Sequence, residues 1–344
     1  VRSYRARRKS SERKAKRDFA QARRSFKDCP AERKQRFLEF GDDPADYSTR
    51  VFTDQALEQV AELKRDQRPL FMWLPYNAPH GGKTSKRRPR LTPEPDPRDR
   101  GAFRKLGLGP YDEQPSFNES DVADKPAYVA SRGQFGAASE AKIKRQIRSR
   151  RSALYSLARQ IARLLGGHEH AGELDNTYVF FTTDNGWLQG QHRVSHGKFL
   201  PYEESIRFPL FVRGPGVVPG QRSELVGNID FVPTVLELAG VAAGRELDGL
   251  SLLESLRGGE GPKRPGLGLS VYQSGPYYIP YRGVRTSRYT YVRYPTSGEV
   301  ELYDLEADPY QLENLAGRPG YEQIEAELEA RALQLASCRG SSCR

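Results

Sequence analysis

The segment Thr177-Tyr178-Val179-Phe180-Phe181-Thr182-Thr183-Asp184-Asn185-Gly186 decides the fold class. Its first six residues form a short, mostly apolar run that is typical of a buried strand. Asp184 and Asn185 follow at the carboxyl end of that strand, where open α/β sheets bind their ligands. Both side chains offer hard oxygen atoms, which suit Ca²⁺ or Mg²⁺ better than zinc, although Asp-Asn-Gly is also a common turn.

Similar apolar runs at Pro69–Tyr76 and Pro209–Arg213 predict two more buried strands. Apolar residues at helical spacing predict a helix over 141–165, ended by Gly166-Gly167, and a second helix over 230–239. Strands that alternate with helices predict an α/β domain built on a mainly parallel sheet. Residues 83–135 are rich in Pro, Arg and Asp, and we expect a long surface loop there that shapes specificity.

The C-terminal part of the chain has a different pattern. Residues 289–294 and 299–303 alternate between apolar and polar side chains, which predicts half-exposed antiparallel strands, and a final helix is expected over 321–335. We therefore predict an α/β domain over 46–265 and a smaller subdomain, an antiparallel sheet plus a helix, over 266–344.

The positive charge of the chain is concentrated at its N-terminus. The net charge is +11, and residues 1–40 hold fifteen Lys or Arg against five Asp or Glu, which leaves about +1 for the rest. A basic arm for nucleic acid is one interpretation, but the segment shows no nucleic-acid module and no interleaved aromatic residues. We expect residues 1–45 to be a disordered tail, dispensable for folding, and we expect no nucleic-acid binding.

Cellular location has to be inferred from a few features. The sequence contains no apolar run long enough to span a membrane and no recognisable signal peptide. Cys338 and Cys343 are separated by four residues, so they can form a small disulfide loop, which would suit an exported protein, or remain two surface thiols. We expect secretion or a periplasmic location for the full-length form, with no membrane partner.

Two basic residues are candidates for catalysis. Lys198 follows the Asp184-Asn185 pair by thirteen residues, and an ammonium beside a metal site can stabilise a developing anion. His80 lies on a loop after a predicted strand, where its imidazole could act as a general acid. Each could equally be an ordinary loop residue when taken alone. His192, between these motifs, is interpreted as supporting the site or the loop.

The motifs in combination resemble the sulfatase family. The resemblance covers about residues 46–344, and it rests on the order of several short motifs. These are Asn77-Ala78-Pro79-His80, Thr183-Asp184-Asn185-Gly186, Gly197-Lys198 with Pro201-Tyr202-Glu203-Glu204, Arg213-Gly214-Pro215-Gly216, Asn228–Thr234, Tyr303-Asp304-Leu305, Asp308-Pro309 and Glu313-Asn314-Leu315.

The resemblance implies a fold, a reaction and a set of residues. The fold would be the alkaline-phosphatase-like α/β sandwich with a central mixed sheet, incomplete at its N-terminus. Asp184 and Asn185 would match two calcium ligands, His80 the histidine that assists the leaving group, and Lys198 the lysine that binds a sulfate oxygen. The expected activity is hydrolysis of a sulfated small molecule or glycan, and the expected cofactor is Ca²⁺.

One departure from the family concerns the nucleophile. The family uses a formylglycine made from cysteine in a Cys-x-Pro-Ser-Arg motif, and its calcium site includes two further aspartates upstream. Cys29-Pro30-Ala31-Glu32-Arg33 fits only the loosest form of that motif, without the Thr-Gly that normally follows, and it lies close to His80. We therefore expect an incomplete chain that lacks the nucleophile.

Three functions remain open at this point. The first is a sulfuric ester hydrolase, and the second is an inactive sulfatase-fold protein that binds sulfated or phosphorylated ligands. The third is an anion or nucleic-acid binder that acts through the basic tail.

Overall fold

The computed structural model describes residues 40–41, 43–66, 69–81, 92–104, 108–111, 113–272 and 279–344. Cys29 and nearly all of the basic tail lie outside these ranges, so the predictions about them stay predictions.

Helices and strands alternate irregularly along the described residues. The α-helices are α1 (Ser48–Asp66), α2 (Ala127–Ala130), α3 (Ala137–Ala171), α4 (Glu203–Ile206), α5 (Phe231–Leu238), α6 (Leu253–Leu256) and α7 (Glu322–Ala336). The strands are β1 (Val179–Thr182), β2 (Leu210–Arg213), β3 (Leu267–Val271), β4 (Tyr281–Arg285), β5 (Tyr289–Arg293) and β6 (Val300–Asp304). Short 3₁₀ turns lie at Pro44–Asp46, Pro97–Asp99, Gly109–Tyr111, Leu174–Asn176, Asn228–Asp230 and Gly340–Cys343.

The strand of the Asp-Asn-Gly segment exists as predicted, but its pairing differs. β1 pairs with β2 in antiparallel register, with Phe180 opposite Val212. The expectation of a mainly parallel sheet is therefore wrong for this pair. The connection between β1 and β2, residues 183–209, contains only the four-residue α4, so it lacks the long crossover helix that usually joins parallel strands.

The predicted strand at Pro69–Tyr76 is the largest error at the level of elements. These residues belong to no strand, and the side chains of Phe71 and Trp73 are 74% and 81% exposed. An apolar run indicates which residues could be buried in a sheet, but the burial depends on a neighbouring strand. No strand within the described ranges pairs with this segment.

Helix α3 is longer than predicted and packs against α1. It continues through Gly166 and Gly167 and ends at Gly172, whose φ of +77° is the left-handed conformation that favours glycine at a helix end. Glycine in a helix interior costs only about 1 kcal/mol, so tertiary packing can carry the helix past it. Despite its length, α3 carries too many charged residues to cross a bilayer, and the described part of the chain offers no other helix that could.

The described parts of the range 83–135 do not form the surface loop that the composition predicts. In the described parts of this range, Asp96 and Ser116 are fully buried and Asp99 nearly so. The Asp96 carboxylate accepts a hydrogen bond from Arg50 Nη2 at 2.7 Å, and Asp99 accepts one from Ser156 Oγ at 2.7 Å. These polar residues are buried because the hydrogen bonds compensate for lost hydration, which composition alone cannot reveal.

The antiparallel C-terminal sheet and the final helix are confirmed, but β5 and β6 are mostly buried rather than half-exposed as predicted. The sheet has the order β3-β4-β5-β6 with every neighbouring pair antiparallel, and α7 packs against β3, β4 and β5. Cys338 and Cys343 form the disulfide that their spacing allowed. β3 begins close to the proposed boundary at residue 265, and the division into domains stays a prediction.

A hydrophobic cluster joins the C-terminal sheet to the loop that follows β1. Its members are buried residues from the central part of the chain and from β6: Val122, Val129, Leu188, Val194, Leu200, Tyr202 and Tyr303. Four of them, Leu188, Val194, Leu200 and Tyr202, lie in the loop between β1 and α4 that carries Asp184 and Lys198, so this core fixes the loop in place.

Candidate active site

The loop after β1 folds back on itself. Leu188 N–H donates to the carbonyl oxygen of Gly197 at 2.8 Å, and Gly197 N–H donates to that of Leu188 at 3.2 Å. Because Leu188 is fully buried, this pair of hydrogen bonds is anchored in the core. The two ends of the loop, which carry Asp184 and Lys198, are thereby brought to the same place.

Gly186 explains why the Asp-Asn-Gly turn ends in glycine. Its N–H donates to the carbonyl oxygen of Ser205 at 2.8 Å, so the turn lies directly against α4. A Cβ atom at this position would lie 2.2 Å from the carbonyl oxygen of Glu204, which is far inside contact distance. Only glycine allows the two backbones to approach so closely.

Asp184 and Lys198 form the charged pair of the site. Lys198 Nζ lies 3.6 Å from Asp184 Oδ2, with the two side chains 22% and 81% exposed. An ion pair this exposed contributes little to stability. The ammonium is partly exposed and the carboxylate mostly exposed, so both groups can contact a ligand from solvent.

The two predicted metal ligands, Asp184 and Asn185, lie next to each other just after the end of β1. The described residues contain no group of three His, Cys, Asp or Glu side chains that could hold a metal ion. The donors that are present, one exposed carboxylate and one amide, fit calcium in their chemistry, whereas calcium takes six to eight oxygen atoms. Asp184 and Asn185 could therefore hold part of a calcium site.

His80 lies on the loop that follows the extended segment. Its Nδ1 lies 2.7 Å from the carbonyl oxygen of Gly81, which can only accept, so Nδ1 carries the hydrogen and donates it. Nε2 is thereby the nitrogen available to a ligand, and the side chain is exposed. The imidazole meets Trp187 edge to face, with ring centroids 6.0 Å apart.

Two residues at this place were not predicted from the sequence. Trp187 directly follows the Asp-Asn-Gly turn, and Arg150 reaches it from α3, with its guanidinium carbon 5.0 Å from the centre of the indole ring. Arg150 Nη1 also donates to the carbonyl oxygen of Pro79 at 2.9 Å. The position of Trp187 beside the turn was a usable signal, whereas Arg150 is one of several arginines in its helix and nothing in the sequence distinguishes it.

His192 is structural, in agreement with the prediction that it supports the loop. It is fully buried, its Nδ1 lies 2.7 Å from Glu119 Oε2, and its ring stacks on Tyr202 with centroids 3.9 Å apart. Burial alone would lower the pKa of His192, but the hydrogen bond to Glu119 and the nearby charge of Glu204 outweigh it and raise the pKa.

Comparison with models of protein families assigns the chain to a family. The sulfatase family model matches residues 8–241, about two-thirds of the sequence. The chain belongs to the sulfatase family. The model of the C-terminal part of N-sulphoglucosamine sulphohydrolase also matches, over residues 190–337.

Curated sulfatases are similar in sequence over most of the chain. N-acetylglucosamine-6-sulfatase from goat (Capra hircus) is 32% identical over 333 residues, covering 87% of this chain and 57% of its own length. The human protein of the same name is also 32% identical, with 87% of this chain and 58% of that protein covered. An arylsulfatase from Chlamydomonas reinhardtii is 29% identical, with 87% and 52% covered. The chain therefore spans just over half the length of these relatives.

Solved structures confirm the alkaline-phosphatase-like sulfatase fold. One, in complex with its substrate D-glucosamine-2-N,6-O-disulfate, has a TM-score of 0.67 at 24% identity, with 83% of this chain and 69% of that chain covered. A phosphonate monoester hydrolase from Silicibacter pomeroyi has a TM-score of 0.61 at 22% identity, with 84% and 60% covered. At these identities the likeness concerns the fold alone.

Proposed function

We propose that this sulfatase-family chain contributes to hydrolysis of sulfate esters on amino-sugar glycans. The support for the reaction is the approach of Lys198 to Asp184 at 3.6 Å, with His80 on the neighbouring loop. The support for the sugar is that several relatives carry the name N-acetylglucosamine-6-sulfatase.

Each side chain has a definite task in this proposal. Cleavage of the bond between sulfur and the bridging oxygen places negative charge on the nonbridging oxygens and on the leaving alcohol. The Lys198 ammonium stabilises the charge on a nonbridging oxygen, and His80 in its doubly protonated form transfers the Nε2 proton to the leaving oxygen while it keeps the hydrogen on Nδ1. Because the Gly81 carbonyl holds the hydrogen on Nδ1, the ring orientation is fixed for that transfer.

Asp184 and Asn185 would hold a calcium ion with ligands from outside the described residues. The ion would supply Lewis-acid stabilisation of the sulfate oxygens.

The nucleophile is proposed to come from residues other than Cys29. Its motif lacks the Thr-Gly that normally follows, and the other two cysteines are joined in a disulfide. We expect the 344-residue chain not to hydrolyse an aryl sulfate, even when it is co-expressed with a formylglycine-generating enzyme. An aldehyde at Cys29 detected by mass spectrometry, with turnover abolished by Cys29→Ala, would contradict this part of the proposal.

The disulfide also bears on location. Disulfides persist in oxidising compartments, so the Cys338–Cys343 bridge supports secretion or a periplasmic location.

The test uses the polypeptide encoded by the complete reading frame that contains this sequence. It is incubated with calcium and N-acetylglucosamine 6-sulfate, and inorganic sulfate is measured, with the 6-phosphate as the matched control. We expect sulfate release that exceeds phosphate release. Binding of the sulfated sugar without release would favour the inactive sulfatase-fold alternative, and faster phosphate release would contradict the proposed substrate class.

A further inference from the structure

Arg150 joins the two loops that carry the candidate catalytic residues. Its Nη1 donates to the carbonyl oxygen of Pro79, the residue before His80, at 2.9 Å. Its Nε donates to Gln189 Oε1 at 3.0 Å, in the loop that begins at Asp184. One guanidinium therefore bonds to both loops from a long helix, α3.

The partners of this guanidinium are uncharged. Within the described ranges Arg150 contacts a carbonyl, an amide and the indole of Trp187, and no carboxylate pairs with it. Burial lowers the pKa of Arg150 to about 10, so the group stays charged at neutral pH. Burying an arginine without an acidic partner is costly, so the position of Arg150 points to a task other than an ion pair.

Trp187 extends the connection from Arg150 to the catalytic imidazole. The indole lies between the guanidinium, 5.0 Å away, and the His80 ring, 6.0 Å away. The indole N–H is buried and finds no hydrogen-bond partner among the described residues. The indole is thus held by its two ring contacts and its backbone, not by its own hydrogen bond.

We propose that Arg150 is a positioning residue. Its guanidinium donates to both the Pro79 carbonyl and the Gln189 side chain, and it thereby keeps the His80 ring in contact with the Trp187 ring. This inference rests on the proposed function for the importance of His80, but the geometry can be tested without turnover. Lysine cannot replace it, because a single ammonium on a shorter reach does not present two donors in a planar fork.

The contact between His80 and Trp187 supplies a spectroscopic measure. A protonated imidazole in contact with an indole quenches its fluorescence more strongly than a neutral one. The chain has two tryptophans, and the exposed Trp73 can be replaced by Phe so that Trp187 alone reports. Emission is measured at a series of pH values from about pH 8 to about pH 5.

In the 344-residue Trp73→Phe parent we expect emission to fall as the pH falls, and we expect His80→Gln to abolish the fall. Arg150→Met should reduce the fall by at least about half, whereas Arg145→Met, an exposed arginine of the same helix, should leave it unchanged. The fall in emission of Arg150→Lys should be larger than that of Arg150→Met and smaller than that of Arg145→Met. A full parental fall in folded Arg150→Met would overturn the proposal, as would a fall that survives His80→Gln.

If Arg150→Met does not fold, as judged by circular dichroism, the test of the proposal uses Arg150→Lys instead. A full parental fall in that variant would overturn the proposal, since lysine lacks the fork. Loss of the contact in an enzyme that hydrolyses no sulfate ester would still support the positioning role and contradict only the proposed function.

Discussion

His80 and His192 look alike in sequence and differ completely in structure. Both lie in polar loops near glycine, yet His80 is exposed with its Nε2 available, whereas His192 is fully buried between Glu119 and Glu204. A histidine with a carboxylate on each side, such as His192, serves to stabilise the fold. A histidine fixed at one nitrogen and open at the other is suited to proton transfer.

The same difference separates the charged pairs around them. Glu119 contacts His192 and lies 3.5 Å from Lys125 Nζ, and all three side chains are buried. Asp184 and Lys198 lie at nearly the same distance, but their pair is open to solvent. Similar charges at similar separations therefore stabilise the protein in one region and remain available to a ligand in the other.

The largest expected effect concerns turnover. In the enzyme encoded by the complete reading frame, His80→Ala should lower kcat by about 10²–10⁴, because the leaving oxygen loses its proton donor. His170→Ala, at an exposed histidine of α3, is the matched control and should leave kcat unchanged. A change below about threefold for His80→Ala would place His80 outside the chemistry.

The next effect concerns stability on the buried side of the comparison. Glu119→Leu leaves His192 and Lys125 without their carboxylate, so the free energy of unfolding should fall by about 3–5 kcal/mol. Glu260→Leu breaks an exposed pair with Lys263, and the free energy of unfolding should stay close to the parental value. Urea unfolding of both variants measures the difference, and equal losses would show that the buried and the exposed carboxylate contribute equally to stability.

A smaller effect is the pH dependence that His192 confers. Because its pKa is raised in the folded protein, its contribution to stability is complete below the unfolded value of about 6.5 and is lost as the pH rises through the folded pKa. The stability difference between parent and His192→Gln should therefore shrink towards alkaline pH. A difference that grows with pH would show that His192 is buried in its neutral form.

The smallest effect on stability is expected at the proposed metal ligand. Asp184→Ala removes an 81% exposed carboxylate, so the free energy of unfolding should change by less than about 0.5 kcal/mol. Calcium affinity, measured by titration calorimetry, should nevertheless fall greatly in the full-length enzyme. In the 344-residue chain calcium binding should be weak from the start, and tight binding there would show that other carboxylates complete the site.

The sequence predicted elements better than it predicted their pairing. The apolar runs of β1 and β2 identified both strands, because burial patterns are local, but strand direction depends on connections that periodicity does not encode. The same limit explains Pro69–Tyr76, whose apolar character indicated a buried strand although no described strand pairs with it.

The residues of the candidate site could be predicted from the sequence when they belonged to a recognisable motif. Asp184, Asn185, Lys198 and His80 were identified from short motifs in a fixed order, and the structure brings Asp184 and Lys198 within 3.6 Å. Arg150 could not be identified, because its role depends on where α3 passes between two loops. The buried Asp96 and Asp99 were missed for a similar reason, since their hydrogen-bond partners come from other helices.

The most direct test of the account compares two lysines, each paired with a carboxylate. Turnover of N-acetylglucosamine 6-sulfate is measured in the full-length enzyme for Lys198→Ala and for Lys263→Ala, whose partner is the exposed Glu260. We predict that kcat falls by about 10²–10⁴ for Lys198→Ala, because a nonbridging sulfate oxygen loses its cation, and stays at the parental value for Lys263→Ala. Equal rates in the two variants would contradict the assignment of the site.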